Sequence, residues 1–293
     1  MTRVLKNDPG LSRKKSPRYN SEFTLDARVT KMGDIQNLNL TVITVVKDHS
    51  SGLARTLKSI SQQDFRNWDV IVVVGKSQDL TLSVAREMAD ADDRIVVVEQ
   101  VGLGIYSAMN QGLNQARGHF VCFMNAGDQF ASPQILTEVS EEIANTNCGV
   151  IIGGHRVVGR ERTEEFKHSR KQVLELEFAF NRRSGCHQSM FFQTQTLLDS
   201  GGFDTKYLLA SDFDAVLKVI RNSGAFRVSS IYSTIEPGGA ADVGIFRVHR
   251  EKHHIRSVHF NRISITILSL GWTATAGAKV ALSRILKVGK HKS

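Results

Sequence analysis

The chain has 293 residues, of which 41% are hydrophobic and 23% charged, enough to bury one substantial core within one large domain flanked by tails. Its three cysteines, Cys122, Cys148 and Cys186, are odd in number and unevenly spaced, which suits reduced, partly buried thiols better than a disulfide or zinc framework. The formal net charge of +9 is concentrated at the two ends, in Arg13, Lys14, Lys15 and Arg18 and again in Lys279, Arg284, Lys287, Lys290 and Lys292. Such ends fit an anionic surface or simply solvated tails, and nothing in the chain looks like a nucleic-acid-binding module, so no nucleic-acid partner is expected.

Residues 1–37 are polar and carry no apolar stretch after the first basic residues, so no secretory signal is read there and the cytoplasm is the default compartment. From Leu40 the pattern alternates. Thr41–Val46 reads as a strand, followed by a helix with Leu53, Leu57 and Ile60 on one face; Val70–Val74 is a second strand, Leu80–Met88 a second helix, and Ile95–Val98 a third strand. A helix over about Ile105–Ala116 ends at Gly118 and feeds a strand Phe120–Met124, which breaks into the turn Asn125–Asp128. Continuous apolar strands separated by helices predict a mostly parallel sheet with helices on both faces, and ligands of such sheets lie at the strands' carboxyl ends, where Asp48, Gly75 and Asp128 would converge.

Beyond Pro133 the alternation loosens into a helix to Asn145, a strand Val150–Ile152, a charged stretch Arg160–Lys171 and a strand Ser189–Phe192. This half reads as mixed. A turn Gly201–Asp204, a helix Asp212–Ile220 and a strand Phe226–Ile231 follow, then a loop at Glu236–Gly239 and a basic, His-rich helix from Gly244 to Arg262. His249 and His253 stand one turn apart, spacing that suits a metal site or, with Arg247, Arg250, Lys252 and Arg256 interleaved, a basic helix that touches phosphates or lipid headgroups. The uncharged run Ile263–Ala278 is too short to span a bilayer, and the tail around Trp272 is weakly amphipathic. The expected division is a tail over 1–37, an α/β domain over 38–243 and a basic helical segment over 244–293.

Two carboxylates stand out by position. Asp128 follows a strand and can hold a hard divalent cation, which needs only one or two carboxylates when phosphate and water complete its shell, or can cap the next helix. Asp212 opens a helix and can act as a base or interact with the helix dipole, and Asp214 cannot point the same way. The spacing Gly102-Leu-Gly104 lacks the third glycine of a dinucleotide fingerprint.

The segments Gly104-Ile-Tyr-Ser-Ala-Met-Asn-Gln-Gly112 and Gly118-His-Phe-Val-Cys-Phe-Met-Asn-Ala-Gly-Asp128 resemble the central signature of family 2 glycosyltransferases, including those of bacterial surface-polysaccharide (colanic-acid-type) synthesis. The similarity extends from about Leu38 to Gly239, through Gly52–Ile60, His187-Gln188, Gly201–Asp204 and Ser211–Asp214. It implies a GT-A fold, a nucleoside-diphosphate sugar donor, a Mn2+ or Mg2+ ion, and inversion by direct displacement, while the basic termini and the Trp272 segment point to a glycan or lipid-linked acceptor at the inner membrane face. On that resemblance Asp128 is the metal ligand and Asp212 the catalytic base. Asp48, Ser77, Asp79, Asn110 and Asn125 are nucleotide-sugar-binding residues, and His187, Gln188 and Asp214 lie on the acceptor side. Asn125, Gly127, Ser211 and Val74 depart from it, each standing where relatives carry an acid; Val74 takes the place of the Asp that meets the nucleobase. A sugar-nucleotide-binding or scaffolding protein with a degenerate site is the alternative these departures allow.

Overall fold

The computed structural model describes residues 38–159, 163–180, 185–237 and 244–260. The tail over 1–37, the C-terminal segment beyond Phe260 with Trp272, and the glycines of the loop after Pro237 lie outside the described residues.

Strands β1 (Leu40–Val46), β2 (Trp68–Val74), β3 (Ile95–Glu99) and β4 (Phe120–Phe123) are joined through helices α1 (Ser50–Ser61), α2 (Thr81–Ala91) and α3 (Ile105–Leu113). All seven residues of β1 are buried, because a central parallel strand is covered on both faces and has no solvent side to keep polar. Odd and even positions therefore feed two cores. Ile43, Val45, Ile71 and Val73 pack on one face, and Val42, Val46, Val70, Val72 and Val74 on the other, against Leu53, Leu57 and Ile60 of α1. The third helix is shorter than its apolar pattern suggests; Asn114 caps it, and Gln115 and Ala116 close a tighter turn.

The second half adds β5 (Gln129–Phe130), α4 (Ile135–Asn145), β6 (Val150–Val158), β7 (Thr163–Phe166), β8 (Lys171–Val173), α5 (Glu175–Phe180), β9 (Met190–Gln193), α6 (Thr194–Asp199), α7 (Ser211–Ser223) and β10 (Ala225–Ile235). One sheet results, in the order β3-β2-β1-β4-β9-β6-β10-β5, with β7 on β6 and β8 on β10. The strands from β3 to β4 are parallel, whereas β9 runs antiparallel to both β4 and β6. The charged stretch after residue 160 is not merely a loop: its described part forms β7 and β8, whose exposed faces accommodate charge that a buried strand would exclude.

The chain leaves β1 toward β2 on one side and returns from β3 to β4 on the other, so a crevice opens between the carboxyl ends of β1 and β4. A final helix, α8 (Ile245–His259), closes onto the body. Its Ile255 is fully buried, and Glu251 accepts backbone N–H groups from Leu208 (3.2 Å), Leu209 (2.9 Å) and Ala210 (3.1 Å), fixing the approach to α7.

Candidate active site

The turn Asn125–Asp128 leaves β4 at the crevice and is pinned from α1, where the Thr56 hydroxyl donates to the Asp128 carbonyl (2.7 Å) and accepts the Gly127 N–H (2.9 Å). Gly127 has φ +104°, a conformation open to glycine, and a Cβ there would collide with the Glu236 carboxylate. Asp128 is only 4% exposed. Its Oδ1 accepts the Glu236 N–H (2.9 Å) and its Oδ2 accepts from Gln188 Nε2 (2.8 Å). Burial pushes this carboxyl's pKa up, and the two hydrogen bonds only partly offset the cost of keeping its charge.

A 3-10 turn, His187–Ser189, bridges this turn to the start of α7. While Gln188 holds Asp128, the neighbouring His187 faces Asp212: Nδ1 lies 3.2 Å from Asp212 Oδ2, and Nε2 lies 3.3 Å from Asn125 Nδ2. Asp212 Oδ1 also accepts the Phe213 N–H (2.9 Å) and the Tyr106 hydroxyl (3.3 Å). Burial alone would raise the Asp212 pKa, but the His187 contact, the charge of Lys252 and the Phe213 N–H outweigh it and lower it. Beside it, Phe178, Gly185, Met190, Phe213, Val216 and Lys252 line a small recess. The thiol of Cys186 is pushed up to about 12 by burial and is inert at neutral pH.

The remaining expected residues divide. Asn125, His187, Gln188, Asp128 and Asp212 come together, and the Asn125 Oδ1 is buried without a protein partner. Asp48, Ser77 and Asp79 lie at the same end of the sheet but serve the backbone. Asp48, at φ +49°, accepts Gln78 N–H (2.6 Å), and its own N–H goes to Ser77 Oγ (3.0 Å). Asp79 accepts Ser50 N–H and Thr81 N–H (3.0 Å each) and the Thr81 hydroxyl, contacts that hold its pKa at about 2. Val74 is buried among the valines of β2 and contributes no polar group.

Asn110 and Asp214 are placed elsewhere. Asn110 exchanges two hydrogen bonds with the Phe203 backbone (2.7 and 2.9 Å) and locks the Gly201–Asp204 turn. Asp214 points between α7 and α8, where its oxygens meet His259 Nε2 (2.8 Å) and Lys218 Nζ (2.7 Å). Two residues apart on a helix, Asp212 and Asp214 face opposite surroundings. Asp214 is therefore buried at the packing of α7 against α8.

Sequence reasoning passed over Tyr106, Thr56 and Glu236. Tyr106 lies inside the glycine-bounded signature, so its position was visible and its partner was not. Glu236 has no local signal: its N–H reaches Asp128 across 108 positions, and its carboxylate is held by Arg55 (3.0 Å) and lies 3.7 Å from His49.

For a divalent cation, the donor set is lean. Among the described residues no group of three His, Cys, Asp or Glu side chains is arranged to hold a metal. Asp128 nevertheless fits one: it is a buried carboxylate whose charge is incompletely compensated, and each oxygen keeps a lone pair beyond its hydrogen bond. Diphosphate oxygens and water would complete such a shell.

The fold is the GT-A (nucleotide-diphospho-sugar transferase) fold, seen also in solved structures. S. aureus TarS (residues 1–349) in complex with UDP aligns with TM-score 0.60 at 20% identity over 77% of this chain and 73% of that one. The mannosyltransferase PcManGT from Pyrobaculum calidifontis, in complex with GDP-Man and Mn2+, aligns with TM-score 0.61 at 18% identity over 86% and 81% of the two chains. The Glycosyl transferase family 2 profile matches residues 41–203, and the chain belongs to that family. A PGL/p-HBAD biosynthesis glycosyltransferase of Mycobacterium bovis (strain BCG / Pasteur 1173P2) is 25% identical over 171 residues, 58% of this chain and 65% of the relative. The match therefore spans just under two thirds of that relative's length.

Proposed function

We propose that this protein transfers a sugar, with inversion, from a nucleoside-diphosphate donor to an acceptor hydroxyl in glycan or glycolipid synthesis. One observation carries the reading: the consecutive residues His187 and Gln188 tie Asp212 and Asp128 into one constellation at the crevice. Family membership and the UDP, GDP-Man and Mn2+ complexes of fold neighbours support it.

In this reading the donor lies across the ends of β1, β2 and β4, with its diphosphate near Asp128. Asp128 would hold a Mn2+ or Mg2+ ion, which supplies positive charge to the leaving diphosphate. Asn125 Oδ1 offers the donor an acceptor atom that no protein group uses. On the other side of the turn, the Asp212–His187 pair at the start of α7 removes the acceptor's proton as its oxygen attacks the anomeric carbon.

No helix among the described residues is long and apolar enough to cross a membrane. The exposed face of α8 carries Phe246, 90% exposed, beside Arg247 and Arg250, which supports peripheral attachment to the anionic inner face. Flotation with anionic liposomes should carry the protein up at low salt and release it at high salt.

The test is release of radiolabelled sugar from UDP-GlcNAc and GDP-mannose, with membrane extract as acceptor source, with and without Mn2+. Metal-dependent turnover lost in Asp128→Ala supports the enzyme. Absence of donor binding and turnover across a panel of nucleotide sugars would overturn it in favour of a scaffolding role.

A further inference from the structure

The cations of the α7–α8 layer fall into two groups. Lys218 lies 2.7 Å from Asp214, Arg247 lies 3.3 Å from Glu251, and Arg221 pairs with Glu175. Lys252 and Arg256, one turn and about 6 Å apart along α8, meet no carboxylate among the described residues. Both lie instead against the Phe213 ring, 5.1 and 5.3 Å from its centroid, and Arg256 is also 5.6 Å from the centroid of Phe180. Arg256 donates one N–H to the Ala179 carbonyl (2.6 Å), and burial lowers its pKa with no carboxylate to offset it.

Lys252 lines the recess beside Asp212, whose other walls include Phe178, Met190, Phe213 and Val216. Phe178 stacks on Phe213 at 5.5 Å, so these walls are apolar and a charge inside is screened less than in water. The ammonium does not help the base. Against the upward push of burial, and together with His187, it lowers the Asp212 pKa and with it the carboxylate's proton affinity. A half-buried ammonium that meets no acid and opposes its neighbour's chemistry is accounted for when a negative group of the occupant sits on it. The recess takes one small group, not a whole sugar ring, and it lies on the Asp212 side, away from the Asp128 turn that marks the donor's diphosphate.

We propose that this recess binds an anionic group of the acceptor, a phosphate or a carboxylate, which Lys252 and Arg256 hold from α8 while a neighbouring hydroxyl of the same molecule reaches Asp212. The inference rests on the glycosyl-transfer reading above and adds the acceptor's chemical class, a sugar phosphate or an acidic glycan.

NMR chemical-shift titrations of the full chain, without donor, use glucose 6-phosphate and methyl glucuronide as anionic probes and methyl glucoside as the neutral one. One of the anions should bind wild type about 10- to 100-fold more tightly than the glucoside, the margin of a hydrogen bond to a charged group. Which anion it is separates a phosphate acceptor from a carboxylate one. Lys252→Met keeps the apolar stem against Phe213 and should lose that margin, whereas Lys252→Arg should retain it. Arg250→Met, on the exposed face of the same helix, should leave it unchanged. Absence of a preference for either anion, a margin that survives Lys252→Met, equal loss in Arg250→Met, or displacement of the bound probe by UDP each overturns the proposal. No donor turns over in these titrations, so their failure leaves the glycosyl-transfer reading standing; absence of turnover with every nucleotide sugar would sink that reading and leave the anion site measured.

Discussion

Two polar regions at the same end of the sheet use similar residues in opposite ways. In the segment 75–81, Ser77, Asp79 and Thr81 are partnered with backbone and side chains of that segment and of residues 48–50, which staples the loop after β2 to the loop after β1. At the turn 125–128, by contrast, each polar side chain reaches an element far away in sequence: Asn125 to His187, Asp128 to Gln188 and Glu236. The first region shapes a wall. The second joins the parallel half of the sheet to the mixed half, and there a carboxylate is buried with its charge incompletely compensated, a cost that stability alone does not explain.

The strongest way to break this contrast is at the joined region. Asp212→Asn should cut turnover about 10²- to 10⁴-fold with donor affinity retained, read by steady-state kinetics beside calorimetry; normal turnover would remove Asp212 from the chemistry. Asp128→Ala should lose about 10²- to 10³-fold and abolish any Mn2+ stimulation, since it removes charge stabilisation of the leaving group.

Asp214→Ala tests a buried carboxylate outside both regions. It strands His259 and Lys218 and should cost about 3 kcal/mol of stability in denaturant melts, with little change in turnover per folded molecule. Burial raises this carboxyl's pKa, but His259 and Lys218 outweigh it, so the folded value lies below the unfolded one. Its contribution is present above about pH 4 and is lost as pH falls through the folded pKa; Asp214→Ala should flatten that acid limb. Gly127→Ala should cost about 1–3 kcal/mol through its positive φ and the Glu236 carboxylate above it. The smallest effect belongs to the stapled region. Asp79→Asn should mainly speed amide exchange at Ser50 and Thr81 and weaken the acid limb between about pH 4 and about pH 2, leaving turnover near wild type.

Much of this contrast was legible in the sequence, though not all of it. Uninterrupted apolar runs such as Val70–Val74 mark strands buried on both faces, and the polar turn after Phe123 marks the strand end where ligands bind. Short helices α5 and α6 have too few residues to show a helical period, and β7 and β8 are charged strands whose pattern matches a loop. Asn110 and Asp214 were legible as polar residues in the right neighbourhood, but the direction of a side chain depends on which element packs against it.

By itself, the sequence determined the alternation of strands and helices, the family signature and the candidates Asp128 and Asp212, because burial period and turn chemistry are local properties. Only the tertiary structure decided that Gln188 and Glu236 hold Asp128, that Tyr106 and His187 hold Asp212, and that Asp214 belongs to the packing of α8. Those pairings join residues 45 to 108 positions apart in most cases, and a side chain's charge and direction are set by whatever the fold brings against it.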